Sequence, residues 1–197
     1  TDPVEQESFD ARLTEMPEAI RKELLAYNRR QDARASLAGK LLLNRALQEL
    51  NLPYTLNDIR LQHKERPYIH DTFDFNISHS GEFVALALSV ANRVGIDLEK
   101  HRKLDITLFR KYFSVPEWDV ITAAKDPLPD FFRYWAIKES AIKCDGRGVE
   151  VLGKTQTMDN RTVSCDSSIF YYSPIDVEPG YACAVCSENE IAGIIRK

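Results

Sequence analysis

Val94-Gly95-Ile96-Asp97-Leu98-Glu99 decides the fold of this chain, because its apolar and polar residues alternate as they do in a β-strand. Residues two apart in a strand point to the same face, so the carboxylates of Asp97 and Glu99 project side by side. A later segment has helical spacing, and there Glu139 and Lys143 share a face because they stand four residues apart. We therefore expect three carboxylates and one ammonium group to meet in one pocket. Such a set suits a divalent cation bound to a substrate that resembles a diphosphate or triphosphate.

The composition is that of a globular protein with an ordinary core. The chain has 197 residues, of which 44% are hydrophobic and 28% are charged, and its formal net charge is −4. That length allows one domain or two small subdomains. The charge argues against general nucleic-acid binding. No apolar run approaches a membrane span, and the polar segment 1–10 does not have the pattern of a signal peptide, so a cytoplasmic protein without membrane contact is expected.

The four cysteines are expected to be reduced thiols with a structural role. Cys183 and Cys186 resemble a metal or redox pair, but they lie in an apolar stretch that predicts a strand. Residues three apart in a strand face opposite sides of the sheet. No second pair of cysteines or histidines completes a zinc site. The structural interpretation is therefore favoured over the metal interpretation.

The periodicity along the chain predicts an α+β fold. Two helices are expected before Pro53, with Leu43, Leu47 and Leu50 on one apolar face of the second. A hairpin follows, then three helices separated by prolines, then a strand-rich part. The expected bounds are Pro17–Arg30 and Asp32–Leu50 for the first helices, Phe73–Ser78 and Phe83–Val90 for the hairpin, Ile106–Phe113, Glu117–Ala124 and Asp130–Cys144 for the later helices, and Val149–Lys197 for the strand-rich part.

A weak internal repeat suggests two similar halves. Residues 81–89 and 180–187 share a glycine, an aromatic residue and a run of small apolar residues. Two α+β halves, 1–95 and 96–197, would then pack together, and their interface would be the natural cleft. Chance similarity between two strands is the alternative.

Two further polar segments are candidates for binding phosphate. Residues 76–81 are expected to form a polar turn after a strand, with hydroxyl groups and the imidazole of His79; an ordinary hairpin turn is the alternative. Basic residues cluster near the N-terminus and in the loop 64–67, although a solvated surface would explain both. The N-terminal basic residues are Arg21, Lys22, Arg29, Arg30 and Arg34.

The acidic set also has a plainer explanation. Glu99 could begin a solvated loop, and Glu139 could pair with Lys143 on the surface of a helix. Such pairs four residues apart are common and stabilise a helix by only about 0.2–0.5 kcal/mol. The pattern by itself leaves the metal site and the surface pair open.

Three motifs in order resemble the signature of the 4′-phosphopantetheinyl transferases. They are Phe75-Asn76-Ile77-Ser78-His79-Ser80-Gly81, Val94-Gly95-Ile96-Asp97-Leu98-Glu99-Lys100 and Trp135-Ala136-Ile137-Lys138-Glu139-Ser140-Ala141-Ile142-Lys143. Glu139 follows Asp97 by 42 positions (139 − 97), as the spacing in that family requires. The similarity covers about residues 32–187 and is strongest to the surfactin-type group, in which one chain holds two pseudo-symmetric α+β halves. The first half, 1–95, would then carry the contacts to the phosphates of coenzyme A, and the second half, 96–197, the metal site.

The resemblance implies a reaction and its catalytic residues. The enzyme would transfer the phosphopantetheine arm of coenzyme A to a serine of an apo acyl or peptidyl carrier protein and release adenosine 3′,5′-bisphosphate. Asp97, Glu99 and Glu139 match the magnesium positions of the family. Glu139 also matches the proposed base, and Lys143 matches a lysine that contacts the pyrophosphate. The catalytic set would be Asp97, Glu139 and Lys143.

The resemblance also implies contacts to the phosphates of coenzyme A. Ser36, Ser78 and His79 match groups around these phosphates, and Lys143 belongs with them. Arg66, followed by Pro67, stands where the family has lysine, which keeps the charge but changes the donor geometry. The N-terminal lysines that bind the 3′-phosphate in the family do not align cleanly, and Arg21 and Lys22 are the candidates here.

The expected partner is an acidic carrier protein. Residues 100–103 are basic and directly follow the acidic strand, and the predicted helix 106–113 comes next. We expect this region to receive the carrier, with a solvated loop and a core helix as the alternative. Members of the surfactin-type group act as monomers, so a monomer is expected. A magnesium-dependent pyrophosphate hydrolase and a silent binding module are the rival functions, and the natural carrier stays open.

Overall fold

The computed structural model describes residues 3–61, 66–71 and 73–194 and divides the chain into two compact units, 1–59 and 60–197. The first unit is helical apart from short connections, and the second combines helices with antiparallel sheets. The predicted α+β class is confirmed. The boundary between the compact units lies at 59/60. The predicted halves divide at 95/96, and this division, which was inferred from the internal repeat, stays a prediction.

The first unit consists of three helices and one short 3₁₀ helix. They are α1 (Pro3–Thr14), α2 (Glu18–Leu25), α3 (Arg30–Glu49) and the 3₁₀ helix Leu56–Asp58. Pro17 is the N-cap of α2, as expected of a proline at a helix start. The apolar face of α3 includes the fully buried Leu43 and Leu47, but Leu50 lies beyond the end of the helix as its C-cap and is half exposed.

The strands of the second unit form two short sheets and one large one. They are β1 (Arg60–Leu61), β2 (Pro67–Tyr68), β3 (Asp74–Ser80), β4 (Phe83–Ser89), β5 (Val94–Lys100), β6 (Thr155–Thr157), β7 (Thr162–Cys165), β8 (Ser168–Pro174) and β9 (Tyr181–Ser187). β1 pairs with β2, and β3 pairs with β4 as the predicted hairpin. The other strands form an antiparallel sheet in the order β5-β9-β8-β7-β6, with β5 at one edge.

The helices of the second unit separate β5 from β6. They are the 3₁₀ helix Ile106–Tyr112, α4 (Val115–Ala123), α5 (Leu128–Asp145) and the 3₁₀ helix Val149–Lys154. Ser114 caps α4 through its hydroxyl, and Glu117 completes the capping box. Gly146 ends α5 with a φ of 84°, which glycine adopts without strain. Among the described residues, no helix combines the length and the apolar character that a membrane crossing requires.

α5 is the central helix of the second unit. Its buried face packs on one side of the large sheet. The residues in this contact are Ala136, Ile137, Ala141 and Ile142 on the helix and Val163, Phe170, Ala184 and Cys186 on the strands. An aromatic cluster extends the core from the start of α5 towards α4, with Phe131 stacked on Trp135 and Phe113 beside both. The position of α5 therefore follows from its apolar residues.

The opposite side of the sheet holds a second, smaller core. Ile96 and Leu98 of β5 pack there with Cys183, while Cys186 lies in the core under α5. The two cysteines thus face opposite sides of β9, as predicted. All four thiols are buried, and within the described residues no disulfide joins them and no cluster of metal-binding side chains surrounds them. The structural role of the cysteines stays a prediction.

The internal repeat corresponds to two similar strands. β4 and β9 each contain seven residues and each follows a turn with a glycine at positive φ, Gly81 at 59° and Gly180 at 84°. The aromatic residues that start the two strands, Phe83 and Tyr181, meet edge to face with ring centroids 4.9 Å apart. The similarity therefore extends to the local structure of the two strands.

Candidate active site between strand β5 and helix α5

A glycine allows α5 to approach β5. Gly95 faces the helix, and a Cβ atom at this position would overlap the carbonyl oxygen of Ser140 and the backbone nitrogen of Cys144. Because alternate residues of a strand share a face, Asp97 and Glu99 lie on the same side as Gly95. The close approach brings Lys143 of α5 over Asp97.

Asp97 and Lys143 form the centre of the site. Lys143 Nζ lies 2.6 Å from Asp97 Oδ1 and also donates to Ser78 Oγ at 3.0 Å and to the carbonyl oxygen of Ile96 at 3.2 Å. Asp97 is only 5% exposed. Three oxygen atoms thus hold the ammonium group of Lys143 against β5 and β3.

Ser78 belongs to this network. Its hydroxyl donates to Asp97 Oδ1 at 3.2 Å and accepts from the backbone N–H of Leu98 at 3.2 Å, besides accepting from Lys143. These three bonds use the full capacity of a serine hydroxyl. The phosphate contact expected of Ser78 stays a prediction, and it would require Ser78 to exchange one of these partners.

The segment 76–81 is not a polar turn, so that prediction is wrong. Asn76, Ser78 and Ser80 lie within strand β3, and the turn consists of Gly81 and Glu82 alone. The alternation of Asp74, Asn76, Ser78 and Ser80 with Phe75 and Ile77 is a strand pattern that could have shown this. One consequence is that the exposed His79 points to the side opposite Ser78.

Burial and the negative charge of Asp97 raise the pKa of both Glu139 and Glu99. The pKa of Glu139 is raised to about 7, mainly by burial and then by the negative charge of Asp97, with a smaller contribution from Glu99, while Lys143 lowers it. Burial also raises the pKa of Glu99, and Asp97 adds to the effect. Arg102 opposes it, with its guanidinium 2.9 Å from Glu99 Oε2. A carboxyl group with a pKa near 7 can hold or release a proton at neutral pH.

The donor atoms of the site fit a hard cation. Asp97 Oδ2 is buried and has no hydrogen-bond partner. An unpaired carboxylate oxygen in such a place is costly unless a cation or a donor reaches it, and oxygen ligands are those that magnesium prefers. Across residues 3–61, 66–71 and 73–194, however, no three acidic, histidine or cysteine side chains are grouped closely enough to be a ready metal site. Magnesium binding by Asp97, Glu99 and Glu139 therefore stays a prediction.

Arg66 lies beneath the site and connects three elements. Its guanidinium forms an ion pair with Asp74 of β3 and donates to the carbonyl oxygens of Val94, at 2.9 Å, and of Lys143. Its side chain is only 9% exposed. The expected contact of Arg66 with coenzyme A stays a prediction, while Lys64 of the same basic loop lies outside the described residues.

The other residues expected to bind coenzyme A lie in the first unit. Ser36 Oγ accepts a hydrogen bond from Lys40 Nζ at 3.0 Å, and Lys40 also pairs with Glu23 at 2.9 Å. Lys22 pairs with Glu18 on the surface of α2, and Arg21 is its half-buried neighbour. Their roles stay predictions.

A buried ion pair beside the site is missed by the sequence analysis. Lys138 and Glu117 are 0% and 2% exposed, with Lys138 Nζ 2.9 Å from Glu117 Oε2. Glu117 Oε1 accepts from the backbone N–H of Thr157 at 2.8 Å, and Lys138 donates to the carbonyl oxygen of Thr155. The pair joins α4, α5 and β6. The capping box of α4 and a lysine among apolar helix residues are the only sequence signals for it.

The basic segment after β5 is partly engaged within the second unit. Arg102 pairs with Glu99 and stacks on Phe132, and Lys100 lies over the ring of Tyr181. Lys103 is exposed. The predicted helix 106–113 is a 3₁₀ helix, from which Leu108 projects with 72% exposure. An exposed leucine beside basic residues is suited to a partner that is both acidic and apolar.

Two family models match this chain, one in each part. The model of the 4′-phosphopantetheinyl transferase superfamily matches residues 93–190, and the model of the N-terminal part of a 4′-phosphopantetheinyl transferase matches residues 2–91. The first match contains β5, α5 and the acidic residues of both elements. The second contains β3 and β4.

Curated relatives with established names are similar over most of the chain. The 4′-phosphopantetheinyl transferase Sfp of Bacillus subtilis (strain 168) is 30% identical over 95% of this chain and 88% of its own length. The 4′-phosphopantetheinyl transferase gsp of Aneurinibacillus migulanus is 34% identical over 80% of this chain and 70% of its own. The human L-aminoadipate-semialdehyde dehydrogenase-phosphopantetheinyl transferase is 37% identical over 60% of this chain and 44% of its own.

Proposed function

We propose, since this chain belongs to the 4′-phosphopantetheinyl transferase superfamily, that it transfers the 4′-phosphopantetheine arm of coenzyme A to a serine of an apo carrier protein. Adenosine 3′,5′-bisphosphate is the other product. The observation that carries the proposal is the meeting of Asp97 and Lys143, at 2.6 Å, beside a carboxyl group of raised pKa at Glu139. Acid–base and cationic groups in one pocket are what transfer of a phosphoryl group requires.

Glu139 is proposed as the base. The serine hydroxyl of the carrier must lose its proton as its oxygen attacks the phosphorus atom. The pKa of Glu139, about 7 because of burial and the nearby Asp97, gives this carboxylate the proton affinity of a useful base at neutral pH. No covalent intermediate with the protein is needed. The proton passes from the serine to a Glu139 oxygen, either directly or through water.

Lys143 is proposed to stabilise the pyrophosphate during transfer. Its ammonium group carries three protons, and in the described structure it directs them to Asp97, Ser78 and the carbonyl of Ile96. Its side chain is 28% exposed, and a phosphate oxygen that contacts the ammonium group would replace one of these three acceptors. A fixed cation beside the bond that breaks would stabilise the charge that collects on the departing adenosine bisphosphate.

Magnesium is proposed as the cofactor, held by Asp97, Glu99 and Glu139. The unpartnered Oδ2 of Asp97 and the shared field of the three carboxyl groups support this assignment. When bound, the ion would neutralise charge on the pyrophosphate of coenzyme A. The contact with Lys143 would then hold Asp97 in position for the ion.

The carrier protein is proposed to approach along residues 100–108. Lys100 and Lys103 are exposed there, and Leu108 offers an apolar anchor. Acidic carriers would be attracted by the charge and held by the apolar contact. Action as a monomer is expected from the family resemblance alone, and the cytoplasmic location stays an expectation from the sequence.

The test is an assay that separates transfer from hydrolysis. Purified protein is incubated with coenzyme A and magnesium, with and without apo-carrier, and the carrier and the small products are analysed by mass spectrometry. Transfer predicts that the carrier gains one phosphopantetheine and that adenosine bisphosphate appears only with the carrier. Release of adenosine bisphosphate without carrier would instead show a hydrolase. An unchanged carrier and intact coenzyme A, across a panel of carriers, would show a silent binding module. A sample with EDTA tests the metal requirement.

A further inference from the structure

One edge of β5 is held by side chains instead of by a neighbouring strand. In an antiparallel pair, every second backbone N–H points away from the partner strand. β5 pairs with β9 on one side, and on its other side the N–H groups of the even-numbered residues are directed towards β3. β3 and β5 are not main-chain partners in any sheet of the described residues.

Four polar side chains of β3 accept these N–H groups in a regular series, which we call the side-chain ladder. The acceptors are two residues apart, and so are the donors. The rungs are Asp74 Oδ2 with Val94 N at 2.8 Å, Asn76 Oδ1 with Ile96 N at 2.9 Å, Ser78 Oγ with Leu98 N at 3.2 Å, and Ser80 Oγ with Lys100 N at 2.9 Å. The ladder satisfies the edge of the strand that carries Asp97 and Glu99.

The rung at Asn76 leads directly to the catalytic pair. Asn76 Oδ1 accepts a hydrogen bond from the backbone N–H of Ile96, and the carbonyl oxygen of Ile96 accepts one from Lys143 Nζ at 3.2 Å. Asp97 follows in the chain and meets Lys143 at 2.6 Å. The orientation of the peptides on both sides of Ile96 therefore affects both members of the pair.

The other rungs differ in what depends on them. Asp74 also pairs with the buried Arg66, and Ser78 itself touches Asp97 and Lys143. Ser80 holds Lys100 at the far end of β5, where the bond is exposed. Asn76 therefore acts on Asp97 and Lys143 only through the backbone of β5. Ser80, at the other end of the strand, is the control.

We propose that Asn76 is a positioning residue: through Ile96, it fixes the β5 backbone so that Asp97 and Lys143 hold their contact. The inference rests on the proposed function for its effect on transfer. Loss of the acceptor leaves a nearly buried N–H, because Ile96 is 7% exposed, and allows the strand to shift. A small displacement of catalytic groups is sufficient to slow an enzyme strongly.

The test compares Asn76→Leu, Asn76→Asp and Ser80→Ala in the transfer assay. Asn76→Leu is expected to lower kcat about 10- to 100-fold while the KM for coenzyme A changes less than about threefold, because positioning and not binding is lost. Asn76→Asp keeps an acceptor oxygen and is expected to recover most of kcat. Because Ser80 holds Lys100 of the proposed carrier segment, only kcat at saturating carrier is compared for Ser80→Ala, and it is expected to stay within about twofold of the parent. A Leu variant with the parental kcat, an Asp variant as slow as the Leu variant, or an equal loss in Ser80→Ala would each overturn the inference.

A second measurement is independent of the reaction. Hydrogen exchange at the Ile96 amide, followed by NMR in the absence of substrates, should be slow in the parent and in Asn76→Asp and at least about tenfold faster in Asn76→Leu. Unchanged exchange at Ile96 in Asn76→Leu would refute the proposed role of the rung. If the parent protein transfers nothing, the proposed function fails, and exchange at Ile96 then decides the inference by itself.

Discussion

At the scale of single residues, the site depends on Lys143, which connects α5 to both β5 and β3. Lys143 contacts the buried Asp97 and also the hydroxyl of Ser78. A surface pair between Glu139 and Lys143, four residues apart on one helix, was the plainer explanation of this lysine. In the structure the ammonium group of Lys143 contacts Asp97 and the carbonyl oxygen of Ile96 in β5. The contacts of Lys143 are therefore made with another element, and the surface pair with Glu139 does not explain them.

Replacement of Lys143 by methionine should reduce transfer without unfolding the protein. The change removes the cation expected to stabilise the pyrophosphate, and loss of one such group costs about 10²–10³-fold in kcat. Steady-state transfer kinetics, with circular dichroism to verify the fold, measure the effect. Lys154→Met is the control, because Lys154 forms an exposed pair with Asp166, which is not one of the proposed site residues. Equal kcat in Lys143→Met and the parent would contradict the assigned role.

Gly95 sets the distance between the two elements of the site. A methyl group there would overlap the backbone of Ser140 and Cys144, so Gly95→Ala should destabilise the protein by about 1–3 kcal/mol. Urea unfolding provides the free energy of unfolding. Gly153→Ala is the matched control, because a Cβ at Gly153 meets no atom within 4 Å. Two variants of equal stability would show that the approach of α5 to β5 is looser than described.

At the scale of elements, the buried Lys138–Glu117 pair fixes α5 against α4 and β6. Burial alone would raise the pKa of Glu117, but the Lys138 charge and the hydrogen bonds from Thr157 and Ser114 outweigh it, so the pKa lies below its ordinary value. A carboxyl group with a lowered pKa in the folded state stabilises the fold above its unfolded pKa. That stability is lost as the pH falls through the folded pKa.

The pair should therefore give a distinct stability profile. Lys138→Met leaves a buried carboxylate without its partner and should cost about 3–5 kcal/mol, whereas Lys138→Met with Glu117→Gln should recover much of this loss. Between neutral pH and values below the ordinary pKa of 4.5, the parent should lose more stability than the double variant. Urea unfolding at several pH values measures both effects. Parallel pH profiles would show that Glu117 contributes nothing to acid sensitivity.

Charge reversal in the basic segment 100–103 should change the KM for the carrier but not the KM for coenzyme A. Arg102 pairs with Glu99, so its reversal would also disturb the acidic site, whereas Lys100 and Lys103 are exposed. Lys100→Glu with Lys103→Glu should raise the KM for an acidic carrier about tenfold at low salt and leave the KM for coenzyme A unchanged. Lys125→Glu, outside the segment, is the control. An unaltered carrier KM in the double variant would remove this surface from the proposal.

At the scale of the whole molecule, local patterns predict the elements but not the contacts between them. Alternation identified β5, and helical spacing identified α5, so Asp97 and Lys143 could be expected to meet. Contacts between distant side chains and backbone have no periodic signal. Arg66 reaches the carbonyl of Lys143, 77 residues later, and Asn76 reaches the N–H of Ile96, 20 residues later. The end of β3 is a different case, because the alternation of polar and apolar residues from Asp74 to Ser80 is a local strand pattern that the prediction of a turn overlooked.

The most direct measurement is the intact mass of an apo-carrier after incubation with coenzyme A, magnesium and either the parent protein or its Glu139→Gln variant. Glutamine has nearly the same size as glutamate but accepts no proton at neutral pH. The account predicts that the parent adds one phosphopantetheine to the carrier, whereas the variant, folded and with the same melting temperature to within a few degrees, leaves the carrier unmodified. Conversion of the carrier by the variant at the parental rate would contradict the assignment of this site.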